Sequence, residues 1–316
     1  MTGAFLCGAI IFVAVAVITS ALIGGASRAF AGDSWKLAPS GRLGLVRLGM
    51  AAPLLLGATL AVAIVAPTGL GFGDHCLAHG DHHVHLCWTH GAPQPPLVLS
   101  VVAVGCLLFA LARVAAAMVA LGRSSLALRW LRANARAENG WWVIPAAEPL
   151  AFTAGVVRPR VFVSRGLLAE GERWSPVLAH ERAHALASDP RWRWLVRVLG
   201  AFHLPAVGEA LSRAHAEAQE LAADAAAARE VGDPLRVAEA LTEWVRLESS
   251  SVHLPFAVSF GEGSLRRRVV ALTSAAPEGH RLPGIGWVGS ALLLAPLAAA
   301  PDLHHAAETI LGWLTH

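Results

Sequence analysis

A chain of 316 residues that is 55% hydrophobic and only 15% charged is too apolar for an ordinary soluble protein, and its composition points to membrane spans. The net charge of +3 and the pI of about 9.0 say little by themselves; where the charges sit says more. No phosphate-binding Gly loop, Ser nucleophile elbow or internal repeat occurs, which removes P-loop nucleotide hydrolysis, α/β-hydrolase chemistry and repeat architectures from consideration.

Residues 4–26 form a continuous apolar run long enough to cross a bilayer. No Lys or Arg precedes it, so it lacks the basic start of a signal peptide and reads as a retained span. Arg28, Lys36, Arg42 and Arg47 follow, opposed only by Asp33. A second apolar run, 48–70, ends in the Gly-rich stretch 69–73, and the loop at 74–96 holds no Lys or Arg. Residues 97–121 are a third span, with Arg113 near enough to its end to snorkel to the interface. Residues 122–283 differ in kind: 20 of the 25 basic and 17 of the 22 acidic residues lie there, in a stretch long enough for one domain with its own core. A shorter apolar run at 283–300 is a marginal fourth span, and the tail has Asp302 and Glu308 without Lys or Arg.

Basic residues thus crowd the first loop and the large domain and avoid the second loop and the tail. The positive-inside rule then puts both termini outside the cytoplasmic membrane and the domain in the cytoplasm. The expected organisation is three spans with a His/Cys-rich outside loop (1–122), a cytoplasmic domain (123–283), and a fourth span with a short outside tail (284–316).

Within the domain, 124–138 reads as a basic juxtamembrane helix, either a solvated linker or a membrane-surface element. Residues 141–144, 150–153 and 161–164 are short strand candidates separated by Pro and Gly. The last alternates in character and precedes the motif helix; as an edge strand it would pair with an extended peptide, and otherwise it covers that helix. Helices are expected at 175–187, 191–199, 206–230 and 235–247. Arg266, Arg267 and Arg268 read as an inside anchor of the last span rather than a nucleic-acid patch, because no aromatic residues interleave them.

The chemistry concentrates in Leu178-Ala-His-Glu-Arg-Ala-His184. His180 and His184, four apart on a helix started by Ser175-Pro176, share one face, where two imidazoles can grip one metal ion. Glu181 then sits beside the open position as a general base, whereas the plain alternative is a satisfied pair of helix histidines. A second helix supplies Glu217, Glu220 and Asp224. Asp224 favours Glu220 as third ligand: it lies one turn along the same face, where it can bond the free nitrogen of a ligating His. From Glu217 it is about 10 Å along the axis, too far to serve both shells of one ion. Zn2+ held by three protein ligands leaves a position for water. His203, His215 and Asp189 are accessory candidates; either histidine or an Arg could serve as oxyanion partner, and each His alone is more often a core or surface residue.

These residues together resemble the BlaR/MecR group of integral membrane metallopeptidases. The likeness rests on His180-Glu-Arg-Ala-His184, Asp189, Phe202-His203 with Pro205, Glu220-Leu-Ala-Ala-Asp224, and the stretch from Ala151-Phe-Thr-Ala-Gly155 to Pro159-Arg-Val-Phe-Val163. It implies an α-helical integral membrane protein of about four spans with an inserted, mainly α, α+β zincin-like domain of gluzincin type. It further implies that His180, His184 and Glu220 bind zinc, that Glu181 activates water, that Asp224 supports a ligating His, and that a transcriptional repressor is cleaved after an outside signal. The sequence departs from the group in having Leu204 between His203 and Pro205 and in carrying Arg182 inside the motif, two residues from His180 and so directed away from it; with so short a tail after the last span, the group's large outside penicillin-sensing domain is not expected.

The outside loop has six His, two Asp and two Cys. In an oxidising compartment Cys76 and Cys87 would most simply form a disulfide, and the His tract is either a metal sensor or an incidental feature of a tied loop. Protein or peptide substrates and the bilayer are the expected partners, with no direct nucleic-acid binding. Two other readings stay open: a membrane quality-control peptidase resembling the HtpX/Ste24 type, and a non-enzymatic receptor sensing through the His loop. A metal transporter fits least, since the spans lack paired intramembrane carboxylates or His.

Overall fold

The computed structural model describes residues 2–29, 38–69, 86, 94–250, 262–274 and 285–315. Among these, three helices are long and apolar enough to cross a membrane: α1 (Thr2–Ala29), α2 (Pro39–Gly69) and α3 (Leu97–Asn134). At about 1.5 Å per residue even α1 exceeds a hydrocarbon layer of about 30 Å. Their outward faces are apolar, as at Leu97, Val98, Leu108 and Leu111, while α3 is buried along a seam of small residues, Ser100, Ala103, Ala110 and Ala117. Small residues at that spacing let helix backbones approach where lipid gives no hydrophobic drive.

Two boundaries differ from expectation. α2 starts at Pro39, where a fixed φ suits a first helical turn, so Arg42 and Arg47 lie on the span helix rather than in a loop. α3 continues unbroken through 124–134, and Arg136–Glu138 is strand β1; no separate juxtamembrane helix exists there.

The sheet follows, with β2 (Trp141–Ile144), β3 (Ala151–Ala154) and β4 (Arg160–Ser164) in the order β1-β2-β4-β3. β4 pairs parallel with β2 and antiparallel with β3. The strand expected at 161–164 is therefore internal, and β3 and β1 are the edges. The four consecutive buried residues of β4, Val161, Phe162, Val163 and Ser164, fit a strand flanked on both sides. At the β3–β4 turn Gly155 has φ +108°, and a Cβ there would lie 2.7 Å from the Arg158 carbonyl oxygen.

After a short helix α4 (Arg165–Ala169) come α5 (Ser175–Ala187), α6 (Asp189–Leu199), α7 (Pro205–Val231), α8 (Pro234–Ser250) and α9 (Glu262–Thr273). α5 begins at Ser175 with Pro176 in its first turn, but no side chain caps it. The domain core joins Val143, Val161 and Val163 of the sheet to Trp174, to Val177 of α5 and to Ala240 of α8. A second cluster docks the domain on the bundle: Val46 and Met50 of α2 pack on Val196 of α6 and on Val207 and Leu211 of α7.

The last helices are α10 (Ile285–Ala298) and α11 (Ala300–Thr315), separated at Ala299, where Pro301 has no N–H to carry the ladder through. A Cβ at Gly289 would lie 3.4 Å from Leu48, and His304 Nδ1 lies 2.5 Å from the Ile64 carbonyl, so the pair runs parallel to α2 along most of its length. By itself α10, with 14 residues, is about 21 Å long, short of a span. Cys76, Cys87 and the loop histidines lie outside the described residues.

Candidate metal centre

Helix spacing and one sharp corner build the centre. On α5 the rings of His180 and His184 stand one turn apart, 4.6 Å between centroids, with their Nε2 atoms 3.0 Å from each other. Each outer nitrogen is held by a carboxylate: His180 Nδ1 by Asp224 at 2.9 Å and His184 Nδ1 by Asp189 at 2.6 Å. The second contact depends on Ser188, whose left-handed φ of +56° ends α5 and turns the chain into α6. Asp189, next in sequence, then faces back onto His184, and Gln219 Nε2 fixes its other oxygen at 2.7 Å.

Glu220 on α7 completes the group. Its Oε2 lies 3.4 Å from His180 Nε2 and its Oε1 lies 3.6 Å from His184 Nε2. Glu217, one turn earlier, instead pairs with Arg267 at 2.7 Å. Asp224, four residues beyond Glu220, is 2% exposed.

Two arginines complete the charge balance. Arg193 Nη2 donates to Glu220 Oε1 at 2.7 Å. Arg268, from α9 and only 3% exposed, makes two 2.7 Å hydrogen bonds to Asp224, and its Nη1 lies 3.2 Å from Glu220 Oε2. This corrects the reading of 266–268 as an anchor of the last span: Arg266 is exposed, Arg267 holds Glu217, and Arg268 belongs to the centre. Its signal was absent from the sequence, because 44 residues separate it from Asp224.

The ionisation of the group follows from these contacts. Burial alone would lower the His180 pKa, but hydrogen bonds to Asp224 and Glu220 outweigh it and push the ring up to about 10. Burial works against the Glu220 carboxylate, yet His180 and His184 hold it well below the usual range. Asp224 is likewise lowered against its burial, by Arg268 and His180. The cluster is thus two imidazoles that gain protons to match buried carboxylates.

A metal ion fits the same atoms. The three donor atoms of His180, His184 and Glu220 lie within 4.8 Å of one another. Two nitrogens at about 2.0–2.1 Å from one tetrahedral ion lie about 3.3 Å apart, comparable to the 3.0 Å seen. Glu220 Oε2, although close to His180 and Arg268, is buried and accepts no well-aligned hydrogen bond. A buried carboxylate oxygen without a hydrogen bond, beside two imidazole nitrogens, is a donor set that could hold a metal ion.

Comparison with known families agrees. Residues 123–274 match the family model for peptidase family M48. The match spans just under half of the chain's 316 residues. No curated protein and no solved structure matches the chain. The M48-like stretch starts inside α3, contains every member of the group above, and ends just after α9. With the three apolar helices it indicates a membrane metallopeptidase. The match names M48 and not the BlaR/MecR group.

The remaining candidates divide. Glu181, beside His180 on α5, is reached by Thr153 of β3, whose hydroxyl is 2.7 Å from both its Oε2 and its backbone oxygen. One hydroxyl proton serves two acceptors, which ties the edge strand to α5. Arg182 leaves the centre for Glu230 and the face of Trp141. His203 is engaged in the bundle, with Ser20 Oγ 3.1 Å from its Nδ1 and the Met50 carbonyl 3.2 Å from its Nε2. His215 accepts from Arg47 at 3.3 Å. Neither accessory histidine joins the ligand group.

Proposed function

We propose that the chain is a membrane zinc endopeptidase with a cytoplasmic active site that cleaves a regulatory, repressor-like protein after an outside signal. The observation that carries the peptidase reading is the His180–His184–Glu220 group, with each imidazole backed by its own carboxylate and Glu181 tied to an edge strand. His180, His184 and Glu220 would hold Zn2+, which when bound supplies a Lewis acid and an acidified water. Asp224 and Asp189 keep the Nδ1 protons and so present the Nε2 lone pairs inward. Glu181 takes the proton of the attacking water and returns it to the leaving amine. β3, free on the side away from β4 among the described strands, would add the substrate as a further strand, with Thr153 aligning that strand and Glu181 together.

The cytoplasmic placement rests on the Lys/Arg asymmetry of the loops. The regulatory substrate rests on the resemblance to the BlaR/MecR group. The deciding experiment compares the proteomes of cells carrying the wild type and Glu181→Gln. One cytoplasmic protein cut only by the wild type is expected. Many unrelated membrane proteins cut would favour the quality-control reading, and identical proteomes would remove the enzyme reading.

A further inference from the structure

Arg47 is a cation inside a membrane-span helix, and an anchoring Arg would extend toward water. Here it is engaged by the peptidase domain instead. Its Nε donates to His215 Nε2 at 3.3 Å, and its guanidinium carbon lies 3.8 Å from the centroid of the Trp192 ring. His215 is on α7, one turn before Gln219; Trp192 is on α6, one turn after Asp189. Asp189 is also close enough to Arg47 for the two charges to interact. Burial and the Arg47 charge push the His215 ring down to about 4, so it stays neutral and offers the lone pair that Arg47 uses. One planar cation from the bundle therefore grips both helices that meet around Asp189, the residue that orients His184.

We propose that Arg47 is a positioning residue for the metal centre: from the membrane side it clamps α6 onto α7 and so fixes Asp189 against His184. The inference rests on the metal-binding reading of the His180–His184–Glu220 group. A flat guanidinium can stack on an indole and donate in its own plane at once, which an ammonium cannot. The spans, on this account, are part of the active site and not merely its tether.

The test uses the full chain purified in detergent, with zinc affinity read by competition with a chromophoric chelator and cobalt(II) absorption reporting the ligand geometry. Losing a group that orients a metal-bound His costs about 10–100-fold in affinity, so Asp189→Asn should fall in that range. Arg47→Gln, one contact further out, should weaken zinc by about 3–10-fold and change the cobalt spectrum. Millimolar guanidinium should restore both in Arg47→Ala, which a general packing role would not do. The double variant Arg47→Gln/Asp189→Asn should lose less than the product of the single losses, because both act on one imidazole. Unchanged affinity and spectrum in Arg47→Gln, or strictly multiplicative losses, would overturn the proposal. Should Arg47→Gln not fold, Arg47→Lys takes its place, and wild-type affinity there would overturn it equally. A wild type that binds no zinc would remove the metal reading itself, a result distinct from an insensitive Arg47 variant.

Discussion

Replacing Arg268 by Leu should unsettle the whole centre, and the structure sets the size of the effect. The guanidinium is 3% exposed, makes two 2.7 Å bonds to Asp224, and lies 3.2 Å from Glu220. Removing it leaves Asp224, itself 2% exposed, with His180 as its remaining cation. Breaking a buried pair from one side costs about 3–5 kcal/mol, because the partner's charge stays buried. At about 2–4 °C per kcal/mol for a domain of this size, the melting midpoint should fall by about 6–20 °C. Arg266, which is exposed, is the control: Arg266→Leu should cost no more than about 0.5 kcal/mol. Melts of metal-free protein in one detergent, followed by tryptophan fluorescence at a single scan rate, make the comparison. If 266–268 acted only as a basic anchor, the two variants would behave alike. An Arg268→Leu protein melting within about 2 °C of Arg266→Leu would refute the assignment of Arg268 to the centre.

Further outcomes follow from the same geometry. With its pKa raised to about 10, His180 is protonated at pH 7 in the metal-free protein, and His184 is shifted the same way, so zinc loading should release at least one proton. Apparent zinc affinity should therefore climb with pH, and calorimetry in buffers of different ionisation enthalpy would show it; no buffer dependence would contradict the raised pKa. For the metal-free fold, the stabilisation from charged His180 is full below its unfolded pKa of about 6.5 and fades as pH rises through about 10. Glu220→Gln should lose far more zinc affinity than Glu217→Gln, whose carboxylate is occupied by Arg267; the reverse order would sink the ligand assignment. A reporter fused after residue 90 should be outside and one near residue 170 inside, and the opposite result would overturn the cytoplasmic placement.

What was legible in the sequence is what helix geometry fixes locally. Spacing of four places His180 with His184 and Glu220 with Asp224, and the apolar runs mark three span helices before any packing is known. Contacts that depend on the packing of distant segments were not legible. Asp189 reaches His184 because Ser188 adopts a left-handed conformation, and Ser carries no such signal. Arg268 reads as one of three adjacent charges until α9 packs on α7. Alternation could identify 161–164 as a strand but not its neighbours, so the edge fell to β3 instead. His203 looked accessory by its motif; its ring is bonded into the bundle by Ser20 and Met50, 183 and 153 residues away.

The location of the counter-charges ties the M48-like stretch physically to the bundle. Glu181, Asp189, Glu220 and Asp224 bring four carboxyl groups to a small region, and their neutralisation draws on three separate elements. Arg193 comes from α6 and Arg268 from α9, both inside residues 123–274. Arg47 comes from α2, outside them, and reaches the helices bearing Asp189 and Gln219 through Trp192 and His215. Gly24 of α1 meets α7 so closely that a Cβ there would lie 2.7 Å from Val207. A span that shifts by an ångström must therefore move the ends of α6 and α7, because a close-packed contact transmits displacement instead of absorbing it. Residues 123–274 hold His180, His184, Glu220 and the carboxylates that back the two imidazoles; on the role proposed for Arg47, the bundle sets how firmly they are aimed.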